Sequence, residues 1–367
     1  MLNTLFQTTL ISSKTSDAFL ALVRSGIGHS LTGFPEVVDW PAVKVLAEQH
    51  GLSAIVLDGI EALPDNSKPP KMFLLSWIGE ILQEYEMRYN HYQKAIADLA
   101  RWHNSHGFKL MVLKGYACAI NWPKPEHRPC GDIDIWQFGQ QKVVDALLKK
   151  DMGVKINTDH HHHTVFTWQN FIVENHYDFL NVHHHKSNVE LEIILKELGM
   201  DDTHYLELNG ENVYIPSANL HALFLLRHSM SNFASTRLQI RQLLDWAFFV
   251  EKHGEEIDWE WLESQLEHFG MKKLYDVFNA ICVGDLGFNV KLFPKVQFQP
   301  ELKDRVLNDI LAPEFSEKES GGFFSRAVFK YRRWKANEWK HELCFNDSLW
   351  SAFWSGVWGH LMKPGMI

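Results

Sequence analysis

The sequence is poor in cysteine, has no long apolar run and carries no excess of basic residues. No two of its four cysteines form a Cys-x-x-Cys pair, so there is no sign of a disulfide framework and we expect reduced thiols. No run reaches the ~18 apolar residues needed to span a bilayer. The formal net charge is -9 and the pI is about 6.1, which argues against a surface built to bind nucleic acid.

The rest of the composition is typical of a folded protein. Hydrophobic residues make up 46% and charged residues 22% of the 367 positions, which argues against long disordered stretches. The first residues contain no basic segment before an apolar core. They therefore lack the pattern of a signal peptide, and we expect a cytoplasmic protein.

The hydrophobic pattern divides the chain into three regions. Helical periodicity dominates residues 1–105, where one long helix is predicted from Lys71 to His106, and it returns over 216–367. Residues 106–215 instead contain short β-rich runs, predicted at 108–113, 132–136, 164–168, 179–185 and 188–195. Helices are predicted between the first three of these runs, at 116–121 and 140–150. The sequence therefore predicts an α+β protein with a small mixed sheet between two helical lobes.

Two closely spaced carboxylates are the most informative feature of the middle region. Asp132 and Asp134 alternate with Ile133 and Ile135 in a predicted strand. Alternate side chains of a strand share a face, so the two carboxylates would project together while the isoleucines pack on the other side. Carboxylates this close repel each other unless a divalent cation lies between them. The pattern is typical of metal-dependent phosphoryl transfer, although an isolated Asp-x-Asp is more often a solvated strand face.

The order of motifs around these carboxylates resembles the nucleotidyltransferase superfamily with the polymerase-beta-like palm. Leu113-Lys114-Gly115, followed by Arg128-Pro129-Cys130-Gly131-Asp132-Ile133-Asp134, is similar to a bacterial group of uncharacterised nucleotidyltransferases. The signature of that group is a Leu-Lys-Gly turn and then Arg-x-x-Gly-Asp-hydrophobic-Asp. Residues 38–51 and 241–245 are similar to its helical flanks. The resemblance implies a palm at 106–215 between helical lobes at 1–105 and 216–367.

The resemblance also implies a reaction and a set of metal ligands. The reaction is transfer of an NMP from an NTP such as ATP to a hydroxyl or amine of a small molecule or protein, with release of pyrophosphate. Three carboxylates would hold two Mg²⁺ (or Mn²⁺) ions, and Asp132 and Asp134 are two of them. The third is expected in the strand predicted at 188–195. We favour Glu190, because the family pattern places its carboxylate first and a histidine two positions later. Here Glu192 replaces that histidine, so the choice between the two glutamates stays open.

Several neighbouring residues are candidates for nucleotide contacts. Gly115 would let the backbone approach a phosphate, and the helix predicted after it would point its amides at the same anion. Lys114 and Arg128 would neutralise the triphosphate, with Gly131 of the signature beside them; the alternative is that both are ordinary surface cations. Arg241, predicted one helical turn after Arg237, would close over the nucleotide or acceptor. The alternative for Arg241 is a surface salt bridge with Asp245.

Two histidine runs favour a different class of site. Residues 160–163 and 183–185 place seven imidazoles within 26 residues, and imidazole is a common ligand of transition metals. One strand-borne pair, such as His183 or His185 beside Glu190, could line the cleft; the alternative is a polar sheet edge with incidental histidines. A histidine-rich metal-binding protein and a catalytically silent, nucleotide-binding palm-fold protein are therefore alternatives to an active enzyme.

The C-terminal region carries an aromatic stripe. Trp350, Trp354 and Trp358 recur at i, i+4 and i+8, so on a helix they would form one apolar face. Left exposed, that face would be a sizeable apolar patch. We expect it to dock on the body of the protein or on a second copy, which makes homo-oligomerisation possible through this helix.

Overall fold

The fold is a mixed sheet surrounded by helices. The structure, a computed structural model, describes residues 12–183, 185–235, 237–294, 296–313 and 323–350. Helices precede and follow a six-stranded sheet that contains both parallel and antiparallel pairs, so the α+β prediction is confirmed. All four cysteines are buried free thiols. In the described parts of the chain, no helix has both the length and the apolarity required to cross a membrane.

The N-terminal part is helical, as predicted. Its α-helices are α1 Ser13–Gly26, α2 Trp40–His50, α3 Ser53–Glu61, α4 Lys71–Ile81 and α5 Arg88–Ser105. The Asp39 carboxylate caps α2 by accepting a hydrogen bond from the Ala42 N–H, and Gly51 ends it in the left-handed conformation. The long helix predicted from Lys71 to His106 is interrupted by a π-helical turn, Leu82–Met87.

The sheet has the strand order β3-β4-β2-β1-β6-β5. Its strands are β1 Met111–Val112, β2 Ile133–Trp136, β3 His163–Trp168, β4 Phe171–His176, β5 Tyr205–Leu208 and β6 Glu211–Tyr214. The second strand runs antiparallel to β1 and parallel to β4. Two short helices follow β1 and β2, namely α6 Tyr116–Ala119 and α7 Gln141–Met152.

One hydrophobic cluster fixes which way β2 faces. Ile133 and Ile135 are fully buried and belong to a cluster that includes Ile96 of α5 and Val173 of β4. Because side chains alternate along a strand, burial of the isoleucines turns Asp132 and Asp134 to the opposite side. The packing of β2 therefore creates the shared carboxylate face that the sequence predicts.

The prediction of strands at 179–185 and 188–195 is wrong. The described residues of the first stretch form turns, and the second lies within helix α8, Lys186–Met200. Val189, Leu191, Ile193 and Leu195 occupy every second position, as they would on one face of a strand. In the helix, however, Val189 and Ile193 are exposed. The buried positions of the helix instead follow a period near 3.6 residues: Asn188, Leu191, Glu192, Leu195 and Gly199. The sequence prediction also missed β4, β5 and β6.

The chain after the sheet returns to helix. Its helices are α9 Ala218–Ser235, α10 Ile240–His253, α11 Trp259–His268, α12 Lys272–Gly284, α13 Pro300–Leu311, α14 Phe323–Ala336 and α15 Glu338–Cys344. A second hydrophobic cluster contains Phe19 of α1, Leu223 of α9 and Tyr275 of α12, so helices from before and after the sheet share a core. The predicted lobe boundaries near residues 105 and 215 stay a prediction. Of the tryptophan stripe, Trp350 is 59% exposed, and Trp354 and Trp358 lie outside the described residues.

Candidate active site

Carboxylates from two neighbouring parallel strands meet at the centre of the sheet. Asp134 of β2 is in register with Glu174 of β4. Asp134 is buried, Glu174 is half-buried, and a ligand atom from each lies within 4.8 Å of the other and of a ring nitrogen of His176. Asp132 immediately precedes β2 and is exposed. The site therefore combines a buried carboxylate pair with an open acidic position beside it.

Two basic groups contact the buried aspartate. Lys114 Nζ lies 2.9 Å from Asp134 Oδ1, and His176 Nε2 lies 3.0 Å from the same oxygen. Burial alone would raise the pKa of Asp134, but Lys114 and His176 outweigh it and hold that pKa well below its ordinary value. Burial likewise opposes the charge of Lys114, yet Asp134 keeps the pKa of Lys114 above its ordinary value. Asp134 is thus a carboxylate and Lys114 an ammonium at neutral pH.

Glu174 behaves in the opposite way. Burial, together with the charges of Asp134 and Asp132, raises the pKa of Glu174. A carboxyl group crowded by two other carboxylates ionises fully once a divalent cation joins them, and oxygen ligands of this kind are those that Mg²⁺ prefers. The donor set of Asp132, Asp134 and Glu174 therefore fits a magnesium centre.

The segment that leads into β2 is fixed through its backbone carbonyls. The Tyr92 hydroxyl donates a hydrogen bond of 2.7 Å to the Asp132 carbonyl. Arg88 Nε donates to the Cys130 carbonyl at 2.9 Å, and Arg241 Nη1 donates to the Pro129 carbonyl at 3.4 Å. Side chains of α5 and α10 thereby hold the signature segment in place.

Arg128 and Arg241 are placed differently from the sequence predictions. Arg128 is buried and forms a bidentate ion pair with Asp245, with N···O distances of 2.7 and 2.9 Å. It is therefore not a surface cation, and its guanidinium is already engaged. Asp245 pairs with Arg128 rather than with Arg241, whose Nη2 donates to Gln239 Oε1. Arg237 precedes α10, so it does not share a helix face with Arg241.

Gly115 makes a close approach to the same segment. It has φ of +50°, and a Cβ atom at this position would lie 2.4 Å from the Tyr92 hydroxyl oxygen and 3.5 Å from the Asp132 carbonyl oxygen. Glycine is required here because it leaves room for the hydrogen bond that positions Asp132. The helix that follows Gly115, α6, has only four residues. Gly131 lies between the anchored Cys130 carbonyl and Asp132, with open space around its Cα.

Glu190 and Glu192 do not lie at this site, because the segment that contains them is helix α8 and not a strand of the sheet. Glu190 Oε1 lies 2.9 Å from His268 Nε2 of α11, and both side chains are more than half exposed. Glu192 is buried, and its two carboxylate oxygens accept hydrogen bonds of 2.9 Å from the N–H groups of Phe179 and Leu180. The structure therefore corrects the predicted position of both glutamates: the carboxylate that lies beside Asp134 is Glu174 of the neighbouring strand.

Two histidines of the site were not predicted as site residues. His176 follows Glu174 by two positions on β4, which is the carboxylate-then-histidine spacing that the family resemblance implies. This signal was present in the sequence but was assigned to residues 190–192. His228 of α9 lies close enough to Lys114 and Asp134 for their charges to affect it, and burial lowers its pKa to about 3.

The histidine runs separate into different surroundings. His162 and His163 lie against His176, whereas His161 packs on His183. His185 instead lies 3.0 Å from Asp347 Oδ2, and His184 is outside the described residues. The predicted pairing of His183 or His185 with Glu190 is not observed, because the partner of Glu190 is His268.

Comparison with known proteins identifies the family of the chain. A family model described as "Uncharacterised nucleotidyltransferase" matches residues 36–282, a range that includes the whole sheet and the signature segment. The chain belongs to this uncharacterised nucleotidyltransferase family. Its mixed sheet with flanking helices is a nucleotidyltransferase-like fold, and membership supports a general nucleotidyltransferase role.

Other comparisons add little to the family match. No curated protein matches the chain. An antigenic nucleotidyltransferase-like protein from Paracoccidioides brasiliensis has a similar structure, with 15% sequence identity and a TM-score of 0.35 over 49% of this chain and 87% of that one. A likeness of this extent carries no argument about activity, so the functional argument depends on the family and on the site itself.

Proposed function

We propose that the protein is a magnesium-dependent nucleotidyltransferase that transfers an NMP from an NTP to a hydroxyl or amine acceptor. The observation that carries the proposal is the register pair of Asp134 and Glu174, with Asp132 beside it. Mg²⁺ ions held by these three carboxylates would supply charge neutralisation for the triphosphate and would lower the pKa of the acceptor hydroxyl.

The chain's own residues have distinct tasks in this proposal. Asp134 is held in one position by Lys114 and His176, so it is oriented before substrate arrives. Asp132 is exposed and faces the substrate side, and its position is set by the Tyr92 hydrogen bond to its carbonyl. Lys114 is the cation nearest to the carboxylates among the predicted nucleotide-binding residues, and it is the residue we assign to the phosphate chain.

The proposed reaction forms one bond to the α-phosphorus and breaks another. The acceptor oxygen or nitrogen forms a bond to the α-phosphorus, and the bond from that phosphorus to the oxygen bridging to the β-phosphate breaks. Pyrophosphate leaves with the electron pair of the broken bond. The proton of the acceptor passes to a carboxylate oxygen of the acidic cluster.

A labelling screen tests the proposal. The purified full-length chain is incubated with Mg²⁺, each of the four α-labelled NTPs in turn and a fractionated cell extract, and the labelled product is identified. We expect one product class to acquire label together with pyrophosphate release, and we expect neither with the Asp132→Asn variant. Pyrophosphate release by Asp132→Asn at the wild-type rate would overturn the assignment.

Nucleotide binding separates this function from its closest alternative. Saturable NTP binding with no label transfer and no pyrophosphate release in any fraction would indicate a catalytically silent nucleotide-binding protein. The same binding experiment with Asp132→Asn reports whether the acidic site contributes to nucleotide affinity.

A further inference from the structure

Three imidazoles converge beside the carboxylate pair. His163 is the first residue of β3 and lies opposite His176 of β4 in the antiparallel register. The ring centroid of His163 is 5.2 Å from that of His176, and the ring of His162 lies 4.4 Å and 5.4 Å from these two. One ring nitrogen from each histidine lies within 4.8 Å of the other two.

The environment of His163 is unusual for a buried polar side chain. The residue is only 6% exposed, and neither of its ring nitrogens has a hydrogen-bond partner. Leaving such groups unsatisfied in the interior costs free energy, so a buried imidazole without partners needs an explanation. The nearest acidic atom to its Nε2 is Oε1 of Glu174, at 3.8 Å, which is too long for a hydrogen bond.

The same carboxylate faces the second histidine at the same distance. Glu174 Oε2 lies 3.8 Å from His176 Nε2. Two ligands of one tetrahedral ion, with bonds of about 2.0–2.2 Å, lie roughly 3.3–3.6 Å apart. Small side-chain rotations would therefore bring Glu174, His163 and His176 around a single ion.

We propose that His162, His163 and His176, with Glu174 as the fourth ligand, form a binding site for a transition-metal ion of the Zn²⁺ class. Three imidazoles and one carboxylate form a donor set that favours Zn²⁺, Co²⁺ or Ni²⁺, whereas Mg²⁺ prefers oxygen ligands. The second coordination sphere is partly present, since His176 Nδ1 lies 3.1 Å from the Asp178 carbonyl oxygen.

The site would be coupled to the proposed reaction through a shared ligand. Glu174 belongs both to this set and to the carboxylate cluster, so a bound transition-metal ion would compete with Mg²⁺ for the Glu174 side chain. An ion bound at His176 Nε2 would also replace the hydrogen bond between that nitrogen and Asp134. The binding site itself does not depend on the proposed transferase activity, because metal binding can be measured with neither NTP nor acceptor present.

The test is a titration of the full-length, chelator-stripped protein with Co²⁺ in excess Mg²⁺, followed by displacement with Zn²⁺. Tetrahedral Co²⁺ has a visible absorption band that octahedral Co²⁺ largely lacks, so the spectrum reports the geometry. We expect a single equivalent of tetrahedral Co²⁺ that Zn²⁺ displaces. We also expect His163→Ala and His162→Ala to weaken binding at least about tenfold.

Two matched histidine controls make the result specific. His183→Ala removes an imidazole of the same histidine-rich region that packs on His161. His341→Ala disrupts the separate group of His185, His341 and Asp347, which also brings three possible ligands together. Both variants should bind Co²⁺ as the wild type does.

The outcomes that overturn the proposal are equally definite. It fails if His162→Ala and His163→Ala bind like the wild type, if either control weakens binding as much as they do, or if the spectrum shows no tetrahedral ion. Circular dichroism verifies the fold of each variant. If the buried His163→Ala variant does not fold, the half-buried His162 decides the result, because its truncation removes less packing.

Discussion

Two pairs of acidic residues with the same i, i+2 spacing have opposite fates in this protein. Asp134 lies in β2 and Asp132 immediately precedes this strand, and the charges of both act on Glu174. Glu190 and Glu192 lie on α8, where two positions correspond to a rotation of about 200°, so Glu190 is exposed while Glu192 is buried. Equal spacing therefore means convergence only where the backbone is a strand.

The two acidic pairs also differ in their electrostatic surroundings. The β2 pair lies against a third carboxylate, Glu174, whose pKa is raised by burial and by repulsion from the pair. The α8 pair is separated, and each member has a local partner: His268 for Glu190 and the backbone N–H groups of Phe179 and Leu180 for Glu192. The first pair gathers negative charge at one point of the sheet, and the members of the second pair have separate local contacts.

The largest effect is expected at Asp134. Asp134→Asn removes the charge that lies at the centre of the cluster, so we expect pyrophosphate release to fall by about 100- to 1,000-fold or more. Asparagine keeps the shape of the side chain but leaves the Lys114 ammonium without its ion partner, so the rate is expressed per folded molecule. Steady-state pyrophosphate release, measured beside circular dichroism, checks this expectation. An Asp134→Asn variant that releases pyrophosphate at the wild-type rate would show that the Asp134 charge is not needed for the reaction.

Arg128 tests whether the signature arginine supports the structure rather than the nucleotide. Arg128→Ala leaves Asp245 buried without its ion partner, so we expect the free energy of unfolding to fall by about 3–5 kcal/mol. Urea denaturation measures the change. Full stability with selective loss of NTP affinity would instead support the original prediction of a triphosphate contact.

Glu192 gives a smaller effect that depends on pH. Burial raises the pKa of Glu192 to about 7, so the folded state binds its proton more tightly than the unfolded state. Glu192 contributes up to about 3 kcal/mol to the free energy of unfolding below about pH 4.5, which is the ordinary pKa of a glutamate. This contribution is lost as the pH rises to about 7. The free energy of unfolding of the wild type minus that of Glu192→Gln should decline over this interval.

Denaturation of both proteins from pH 4.5 to 8 measures that decline. Pyrophosphate release per folded molecule should be unchanged in Glu192→Gln, because its carboxylate contacts the 179–180 backbone. A difference in stability that is flat with pH would show that the Glu192 carboxyl group does not have a raised pKa in the folded state.

The sequence predicts β2 well because two independent signals agree there. The alternation of isoleucine with aspartate specifies a strand, and the glycine and arginine positions of the signature identify the family. Tertiary contacts were harder to anticipate: Arg128 and Asp245 are 117 positions apart, and nothing local in the sequence indicates that they pair in the interior.

Glu190 and Glu192 were expected beside Asp134 because a helix imitated a strand. Val189, Leu191 and Ile193 alternate with polar residues, but the burial of Asn188 and Glu192, both with hydrogen-bond partners, completes a helical face instead. Polar residues on a buried face cannot be recognised from hydrophobic periodicity alone. The strand β4 was missed although Gln169 and Asn170 form a two-residue turn with positive φ at both positions, a pattern typical of a tight hairpin.

The most direct test of the account compares Glu174→Gln with Glu190→Gln in one assay of magnesium-dependent pyrophosphate release. Both changes remove one negative charge from a glutamate, and only Glu174 lies beside Asp134. We expect a loss of at least about 100-fold for Glu174→Gln and a rate within about twofold of the wild type for Glu190→Gln, as is usual for a surface substitution. Equal rates for the two variants, or the larger loss in Glu190→Gln, would contradict this expectation.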